Sequence, residues 1–159
     1  MPRHVRKWKR STSDGLPHLG EKTEFRSRAE AQLALNLTQR GIKFEYEPCT
    51  FNYVSSVMAG TCLDCGGRHV GQKRRYRPDF YIPSGDFYIE LKGAFSSRDR
   101  SKMLAVRKAN PDVDFRLLLL ADNKLNKNTE TRYSDWCNEH EWVWHLGRNP
   151  PDGWFTDEG

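Results

Sequence analysis

The chain has 159 residues, of which 36% are hydrophobic and 30% are charged, with a net charge of +5. This length is typical of one domain, and no apolar run is long enough to span a membrane. A secretory signal is not expected either, because the basic N-terminus lacks an apolar stretch. We therefore expect a cytoplasmic protein with no membrane partner. The modest net charge matters for binding only where basic residues cluster.

The first such cluster lies in residues 1–22, which we predict to be a flexible basic arm. Its candidate nucleic-acid contacts are Arg6, Lys7, Lys9 and Arg10. The polar residues that follow, with Gly15 and Pro17 among them, favour a loop. Such an arm can neutralise phosphates and become ordered on binding. A solvated tail without a partner explains the same composition equally well.

Residues 23–147 are predicted to form the main domain, which begins with a helix over Ser27–Arg40. Apolar residues recur at helical spacing there, and Gly41 ends the pattern. Ser27 and Glu30 fit a capping box, in which both side chains satisfy backbone amides at the start of the helix. Capping is the simpler interpretation of Glu30. A metal-ligating role is the alternative, because Glu30 lies beside the apolar stripe.

A strand is predicted over Lys43–Tyr53, interrupted at Pro48, and a long insertion follows at about residues 55–75. The insertion contains Cys62-Leu63-Asp64-Cys65-Gly66, which is similar to a zinc knuckle. The candidate ligands of a structural Zn²⁺ are Cys49, Cys62, Cys65 and His69. Two free thiols in a surface hairpin are the alternative, since the sequence has no second Cys-x-x-Cys pair.

The central stretch, Tyr76–Gly93, is predicted to be two strands joined by a turn at Pro83-Ser84-Gly85. Alternation along the second strand puts Glu90 and Lys92 on one face. Asp79 on the first strand can approach Glu90. Two carboxylates can hold a hard divalent cation, and a lysine beside them can orient a water molecule.

Pro78-Asp79 followed by Glu90-x-Lys92 fits the short PD…(D/E)xK signature of metal-dependent nucleases. The alternative is that Asp79 is a turn residue and that Glu90 and Lys92 form an exposed ion pair. Flanking basic residues favour the nuclease, because they can hold phosphates beside a metal. These candidate DNA contacts are Lys73, Arg74, Arg75, Arg77, Arg98, Arg100, Lys102 and Lys124.

The rest of the chain is predicted to alternate between helices and strands. The predicted elements are a helix from Ser96 or Ser97 to about Ala109, a buried strand over Asp114–Ala121, a helix over Tyr133–His140, a strand over Trp142–Trp144 and an irregular tail over residues 148–159. Together these elements predict an α/β (α+β) domain with a central mixed sheet flanked by helices.

The motifs around the carboxylates resemble those of the phage endonuclease I family of Holliday-junction resolvases. They are Phe25-Arg26-Ser27 with Glu30, Gly41-Ile42-Lys43-Phe44-Glu45-Tyr46-Glu47, Tyr76-x-Pro78-Asp79-Phe80, and Glu90-x-Lys92-Gly93. The similarity is collinear over about residues 25–140. It implies a restriction-endonuclease-like PD-(D/E)xK fold and an endonuclease that resolves four-way and other branched DNA junctions by paired nicks. A phage origin implies the host cytoplasm.

The resemblance also implies the site residues. The catalytic residues would be Glu30, Asp79, Glu90 and Lys92, and one or two Mg²⁺ or Mn²⁺ ions would be held by Asp79, Glu90, the Leu91 carbonyl and Glu30. The family forms homodimers in which a swapped N-terminal segment lends the helix glutamate to the partner. Here the bridging strand would be about Lys43–Tyr53. The Cys-containing insertion and the lack of a basic C-terminal tail depart from the family pattern.

Two other functions stay open from the sequence. One is a nuclease of the same fold that cleaves linear DNA or transposon ends. The other is a non-catalytic zinc-containing DNA-binding protein, in which the Cys-x-x-Cys would be central and the carboxylates incidental.

Overall fold

The structure is a computed structural model that describes residues 11–12, 24–55 and 71–156. In these ranges the strands are β1 (Ser11–Thr12), β2 (Glu24–Phe25), β3 (Glu45–Tyr46), β4 (Phe51–Val54), β5 (Lys73–Tyr76), β6 (Phe80–Ile82), β7 (Phe87–Lys92), β8 (Asp114–Leu119) and β9 (Val143–Leu146). The helices are α1 (Arg28–Gln39), α2 (Ser97–Ala109), α3 (Tyr133–Glu139) and a 3₁₀ turn at Asp152–Trp154.

The main sheet has five strands in the order β3-β6-β7-β8-β9. Strands β3, β6 and β7 are antiparallel to one another, whereas β7, β8 and β9 are parallel. Parallel neighbours need crossover connections, which contain α2 between β7 and β8 and α3 between β8 and β9. The predicted mixed α+β architecture is confirmed.

Helix α1 forms where its apolar spacing and caps predict it. Ser27 is the N-cap, and its Oγ accepts a hydrogen bond from the Glu30 amide at 3.2 Å. Leu33 and Leu37 are buried on one face, and Gly41 follows the helix with a φ of 70°, which glycine adopts without strain. Half of the predicted capping box is present, because the Glu30 carboxylate accepts from the Arg26 amide instead of the Ser27 amide.

The predicted strand over Lys43–Tyr53 is wrong, because β3 and β4 belong to different sheets. The chain turns at Glu47, whose φ of 46° is unusual for a residue other than glycine, and Pro48 cannot donate to a strand ladder. Strand β4 pairs with β5, which the sequence had assigned to the insertion. Strand β5 was not predicted because it begins with Lys-Arg-Arg, whose side chains are all exposed and show no alternation.

The hairpin of β6 and β7 confirms the two predicted strands, with Tyr81 opposite Tyr88. The turn contains the predicted residues Pro83, Ser84 and Gly85, and Asp86 at its end has a left-handed φ of 50°. Strand β7 lies in the middle of the sheet. Glu90 and Lys92 are each only 7% exposed, so the alternative of an exposed ion pair is wrong.

The helices and the sheet enclose two clusters of buried residues. The first packs α1 against β6, β7 and β8 and includes Phe25, Leu33, Phe80 and Leu118. The second packs α2 and α3 against β8, with β4 and β5 beside them, and includes Met103 and Trp136 among its members. No helix in the described ranges is long and apolar enough to cross a membrane.

Both ends of the described chain return to the domain. Residues 11–12 of the predicted arm pair with β2. Near the C-terminus, the Trp154 and Phe155 rings pack on Phe87, and Arg40 donates hydrogen bonds to the Pro150 carbonyl at 2.8 Å and to Asp152 at 2.6 Å. The predicted irregular tail therefore covers part of the first cluster as far as residue 156.

Candidate active site

A cavity of about 410 Å³ opens between α1, β5, β7 and α2. Its lining combines three carboxylates with four basic side chains and consists of Arg26, Ser27, Glu30, Arg75, Tyr76, Arg77, Asp79, Glu90, Leu91 and Lys102. The structure thus brings three of the four predicted catalytic residues to one cavity. Lys92 does not line the cavity; it is buried beside Glu90.

Asp79 and Glu90 are each held in place by polar contacts with neighbouring groups. Asp79 precedes β6, and its Oδ2 accepts from the Leu91 amide at 2.8 Å. Glu90 Oε1 lies 3.0 Å from Lys92 Nζ, and Glu90 Oε2 accepts from the Tyr76 hydroxyl at 2.5 Å. These contacts fix two acidic side chains that are each 7% exposed, in a place where charge is costly without partners.

Glu30 enters the same cavity from the first turn of α1. It is 9% exposed, and its Oε2 accepts from the Tyr46 hydroxyl at 2.6 Å and from the Arg26 amide at 3.0 Å. Burial and the charge of Glu90 raise the pKa of Asp79 most, and the charge of Glu30 adds to that rise. Glu30 therefore lies at the cavity with the other two carboxylates as well as in the first turn of α1.

The carboxylates of the cluster repel one another. Burial, and next the charge of Glu90, hold the pKa of Asp79 well above its usual range. Burial by itself lowers the pKa of Lys92, but the charge and hydrogen bond of Glu90 outweigh it and leave that pKa raised. The pKa of Asp79 is raised although Lys92 and Arg26 lie nearby, so a bound cation would relieve the repulsion among the carboxylates.

The carboxylates suit an ion such as Mg²⁺, which takes few protein ligands, better than an ion that needs three or more protein side chains. In the described part of the chain, no group of three histidine, cysteine, aspartate or glutamate side chains is arranged to hold a metal. Mg²⁺ commonly takes only one or two carboxylates and completes its shell with water and phosphate oxygens. Asp79 and Glu90 supply two such carboxylates, with Leu91 between them at the cavity wall.

The basic rim of the cavity consists of the predicted DNA contacts Arg75, Arg77 and Lys102 together with Arg26, which the sequence did not identify as functional. Arg26 forms an ion pair with Glu47, and its Nη2 lies 3.9 Å from Asp79 Oδ1. Arg77 lies 3.5 Å from the same Glu47. Lys102 lies over the Tyr76 ring, 5.5 Å from its centroid. Arg26, Tyr46, Glu47 and Tyr76 all occur in the quoted motifs, but spacing alone does not reveal which side chains reach a carboxylate.

The remaining candidate DNA contacts lie away from the cavity lining. Lys73, Arg74 and Arg98 are exposed. Arg100 donates to the Phe95 carbonyl at 2.5 Å, and Lys124 pairs with Glu130 at 2.7 Å. The predicted contacts Arg6, Lys7, Lys9 and Arg10 lie outside the described residues.

Most of the residues predicted to bind zinc lie in a part of the chain that the structure does not describe. Cys62, Cys65 and His69 lie outside the described ranges. Cys49 is half-buried, and its Sγ lies 3.7 Å from the Tyr88 hydroxyl. Burial raises the pKa of Cys137 to about 12, which disfavours the thiolate that a metal requires.

Comparison with known proteins identifies the family. The model of the family described as Phage endonuclease I matches residues 16–155. The chain belongs to this family. Among curated relatives in the phage endonuclease I family, the Endodeoxyribonuclease 1 of Enterobacteria phage T3 is 37% identical over 117 residues, which are 73% of this chain and 67% of the relative. The Endonuclease I of Escherichia phage T7 is 35% identical over 117 residues, 73% of this chain and 68% of the relative.

The family match confirms the resemblance found in the sequence and extends it at both ends. The matched range contains the three carboxylates and Lys92. It also includes the segment that packs Trp154 and Phe155 on Phe87, beyond the residues that carried the resemblance.

Proposed function

We propose that this protein is a metal-dependent endodeoxyribonuclease that resolves four-way and other branched DNA junctions by paired nicks. The observation that carries the proposal is the buried cluster of Glu30, Asp79 and Glu90 beside Lys92, at a cavity with a basic rim. Membership of the phage endonuclease I family supports it. The names of the two relatives, an endodeoxyribonuclease and an endonuclease, support DNA as the substrate.

Each residue of the cluster has a role in the proposed hydrolysis. Asp79, Glu90 and the Leu91 carbonyl would hold one Mg²⁺ or Mn²⁺ ion, and Glu30 would contribute to a second. When bound, such an ion polarises the scissile phosphate and makes a water molecule more acidic. Lys92, already 3.0 Å from Glu90, would orient the attacking water and offset developing negative charge.

The basic rim would bind the phosphates that flank the scissile bond. Arg26, Arg75, Arg77 and Lys102 line the cavity next to the carboxylates, so a backbone held by them runs past the reactive centre. Contacts with phosphates position DNA without reading its sequence. Recognition of a junction would then depend on the shape of the branch and its backbone charge.

The active form is proposed to be a homodimer of restriction-endonuclease-like subunits that exchange their N-terminal segments. Residues 24–46 contain α1 and β3, and they connect to the rest of the described domain through residues 47–50. The left-handed Glu47 makes the reversal at this connection. An extended connection would let the same segment make the same contacts on a second copy, as in other exchanged dimers.

The proposal is tested by cleavage of a four-way junction and of a linear duplex with the same arms. The unsubstituted protein should cleave the junction only when Mg²⁺ or Mn²⁺ is present. Lys92→Ala and Asp79→Asn should each lower the rate by at least about 100-fold. Lys127→Ala, a substitution on an exposed loop, should not. Mg²⁺-dependent cleavage that either active-site variant retains would contradict the assignment.

The same experiment separates the alternatives. Equal cleavage of linear duplex and junction would indicate a nuclease for linear DNA. Zinc in the purified protein without any cleavage would indicate the non-catalytic DNA-binding protein. Zinc at Cys62 and Cys65 together with cleavage would support a structural site within the nuclease, which stays a prediction.

A further inference from the structure

Two tyrosine hydroxyls each donate a short hydrogen bond to a different carboxylate of the cluster. Tyr76 reaches Glu90 Oε2 at 2.5 Å, and Tyr46 reaches Glu30 Oε2 at 2.6 Å. Neither bond belongs to a turn or a helix cap, since the partners are 14 and 16 residues apart in sequence. Hydrogen bonds to ionised acceptors of this length are strong and directional.

We propose that Tyr76 and Tyr46 are positioning residues, which orient Glu90 and Glu30 for binding the divalent cation. This inference rests on the proposed function. Each hydroxyl donates a hydrogen bond to Oε2 of its carboxylate and so fixes the orientation of the other oxygen, Oε1. In Glu90 that oxygen, Oε1, faces Lys92 at 3.0 Å. Groups that hydrogen-bond to metal ligands commonly contribute strongly to metal affinity, because they fix the ligand's orientation.

A tyrosine suits this task because it is a neutral donor. A further lysine or arginine in its place, in addition to Lys92, would offset more of the carboxylate charge that attracts the cation. A tyrosine hydroxyl ionises only at about pH 10, so Tyr76 and Tyr46 are donors at neutral pH.

Packing holds each tyrosine ring independently of its hydroxyl. The Tyr76 ring contacts Phe115 edge to face at 5.9 Å, and the Tyr46 ring contacts Phe25 in the same way at 4.7 Å. A phenylalanine at either position would keep these ring contacts. At position 76 it would lose the hydrogen bond to Glu90, and at position 46 it would lose both the bond to Glu30 and the one that the hydroxyl accepts from the Arg26 amide at 3.1 Å. Substitution by phenylalanine is thus a specific probe of the hydroxyl.

Each tyrosine serves a carboxylate of its own part of the chain. Tyr46 and Glu30 both lie before residues 47–50, and Tyr76 and Glu90 both lie after them. Neither hydrogen bond crosses the connection through which the proposed dimer would exchange segments. The two hydrogen bonds can therefore orient Glu30 and Glu90 whether these carboxylates belong to one chain or to two.

The test is calorimetric titration of Ca²⁺ into the DNA-free protein, together with the Mg²⁺ concentration that gives half the maximal rate of junction cleavage. Tyr76→Phe should weaken Ca²⁺ binding and raise the half-saturating Mg²⁺ concentration by about 10-fold or more. Tyr46→Phe should act in the same direction. Tyr81→Phe is the matched control, since its hydroxyl pairs at 3.0 Å with Asp86 in the exposed turn, and it should change neither quantity.

A structural role alone would give a different result. If the hydroxyls only stabilise the fold, Tyr76→Phe will unfold at lower temperature while the folded protein keeps its Ca²⁺ affinity, and the inference is overturned. p-Aminophenylalanine at position 76, which retains the ring and an N–H donor, should recover Ca²⁺ affinity. If Tyr76→Phe does not fold, Tyr46→Phe decides: wild-type Ca²⁺ affinity in that variant overturns the inference.

The outcomes also distinguish this inference from the proposed function. Normal metal binding by both tyrosine variants, in a protein that cleaves junctions with Mg²⁺, overturns only the positioning role. An unsubstituted protein that neither binds Ca²⁺ nor cleaves a junction overturns the proposed function, and the positioning role with it.

Discussion

At the scale of single residues, the candidate site contains buried carboxylates whose mutual repulsion is unfavourable for folding. Asp79 is 7% exposed, close to Glu90, and its pKa is raised by burial and by that neighbour. Such an arrangement opposes folding unless a cation binds. Strained or repulsive clusters of this kind are typical of functional sites.

The charge of Asp79 should therefore destabilise the metal-free protein at neutral pH. In the unfolded chain the pKa of an aspartate is about 3.9, so between that value and the raised native pKa the native state binds more protons. Stability consequently falls as pH rises through this window. Asp79→Asn, whose amide oxygen can still accept from the Leu91 amide, should raise the melting temperature at pH 7 by about 2–4 °C, the shift that 1 kcal/mol causes in a domain of this size.

Thermal unfolding in EDTA measures this effect. The difference between variant and unsubstituted protein should shrink as the pH is lowered through about 4, because below that pH Asp79 is protonated in both the native and the unfolded state. Mg²⁺ should stabilise the unsubstituted protein and not Asp79→Asn. Asp112→Asn, at an exposed position, is the control. A variant that melts below the unsubstituted protein at pH 7 would contradict the prediction.

At the scale of elements, the connection between β3 and β4 joins the site to its basic rim. Glu47 has a left-handed backbone, and its amide donates to the Asp79 carbonyl at 2.8 Å. Its carboxylate pairs with both Arg26 and Arg77, two of the three arginines that line the cavity. In the proposed function, Glu47 would compete with DNA phosphates for these two side chains.

Glu47→Gln should free both arginines for phosphate binding. Each additional phosphate contact makes log K fall more steeply with log salt concentration, by about 0.9 for duplex DNA. We expect the variant to bind a junction more tightly at low salt and to have a slope about 1–2 units steeper. Fluorescence anisotropy in EDTA, over a series of salt concentrations, measures both quantities.

Glu45→Gln is the matched control for this experiment, because it makes the same change at an exposed position of β3. It should leave the slope unchanged. Weaker junction binding by Glu47→Gln would contradict the prediction and indicate that Glu47 aligns the arginines for DNA instead of competing for them.

At the scale of the whole molecule, the arrangement of the two halves decides how many active sites are complete. The buried residues of α1 pack on β6, β7 and β8, and this contact brings Glu30 to Asp79. In the proposed exchanged dimer, the same contact joins two chains. Each active site would then contain Glu30 of one subunit and the other carboxylates of its partner.

A heterodimer of Glu30→Gln and Asp79→Asn subunits tests this arrangement. With exchanged segments, one site carries both substitutions and the other is intact, so the heterodimer should nick one strand of a junction although both parent homodimers are inactive. Without exchange, each site carries one substitution and no activity returns. Co-expression with two affinity tags isolates the heterodimer, and a junction labelled on one strand at a time reports single and paired nicks.

Two results would contradict the exchanged dimer. One is a heterodimer as inactive as its parents, when the unsubstituted homodimer cleaves. The other is a monomeric mass in solution for the active protein, measured by light scattering.

Local features of the sequence determined much of this protein. The caps and apolar spacing of α1 and α2, and the turn between β6 and β7, depend on neighbouring residues, so they could be predicted. The same is true of the Asp79, Glu90 and Lys92 motif. Helix boundaries agree within about two residues because Ser27 and Ser96 cap the first turns.

Only the tertiary structure decided the remainder, because it depends on contacts between distant residues. Strand β5 is a run of basic residues that becomes a strand by pairing with β4. Glu30 reads as a cap within its own helix, and it joins the site because α1 packs beside β6. The hydroxyls of Tyr46 and Tyr76 reach carboxylates that are 16 and 14 residues away in sequence, respectively. The sequence shows which residue types are present and how they are spaced. The packing of the helices and the sheet determines which of their side chains come into contact.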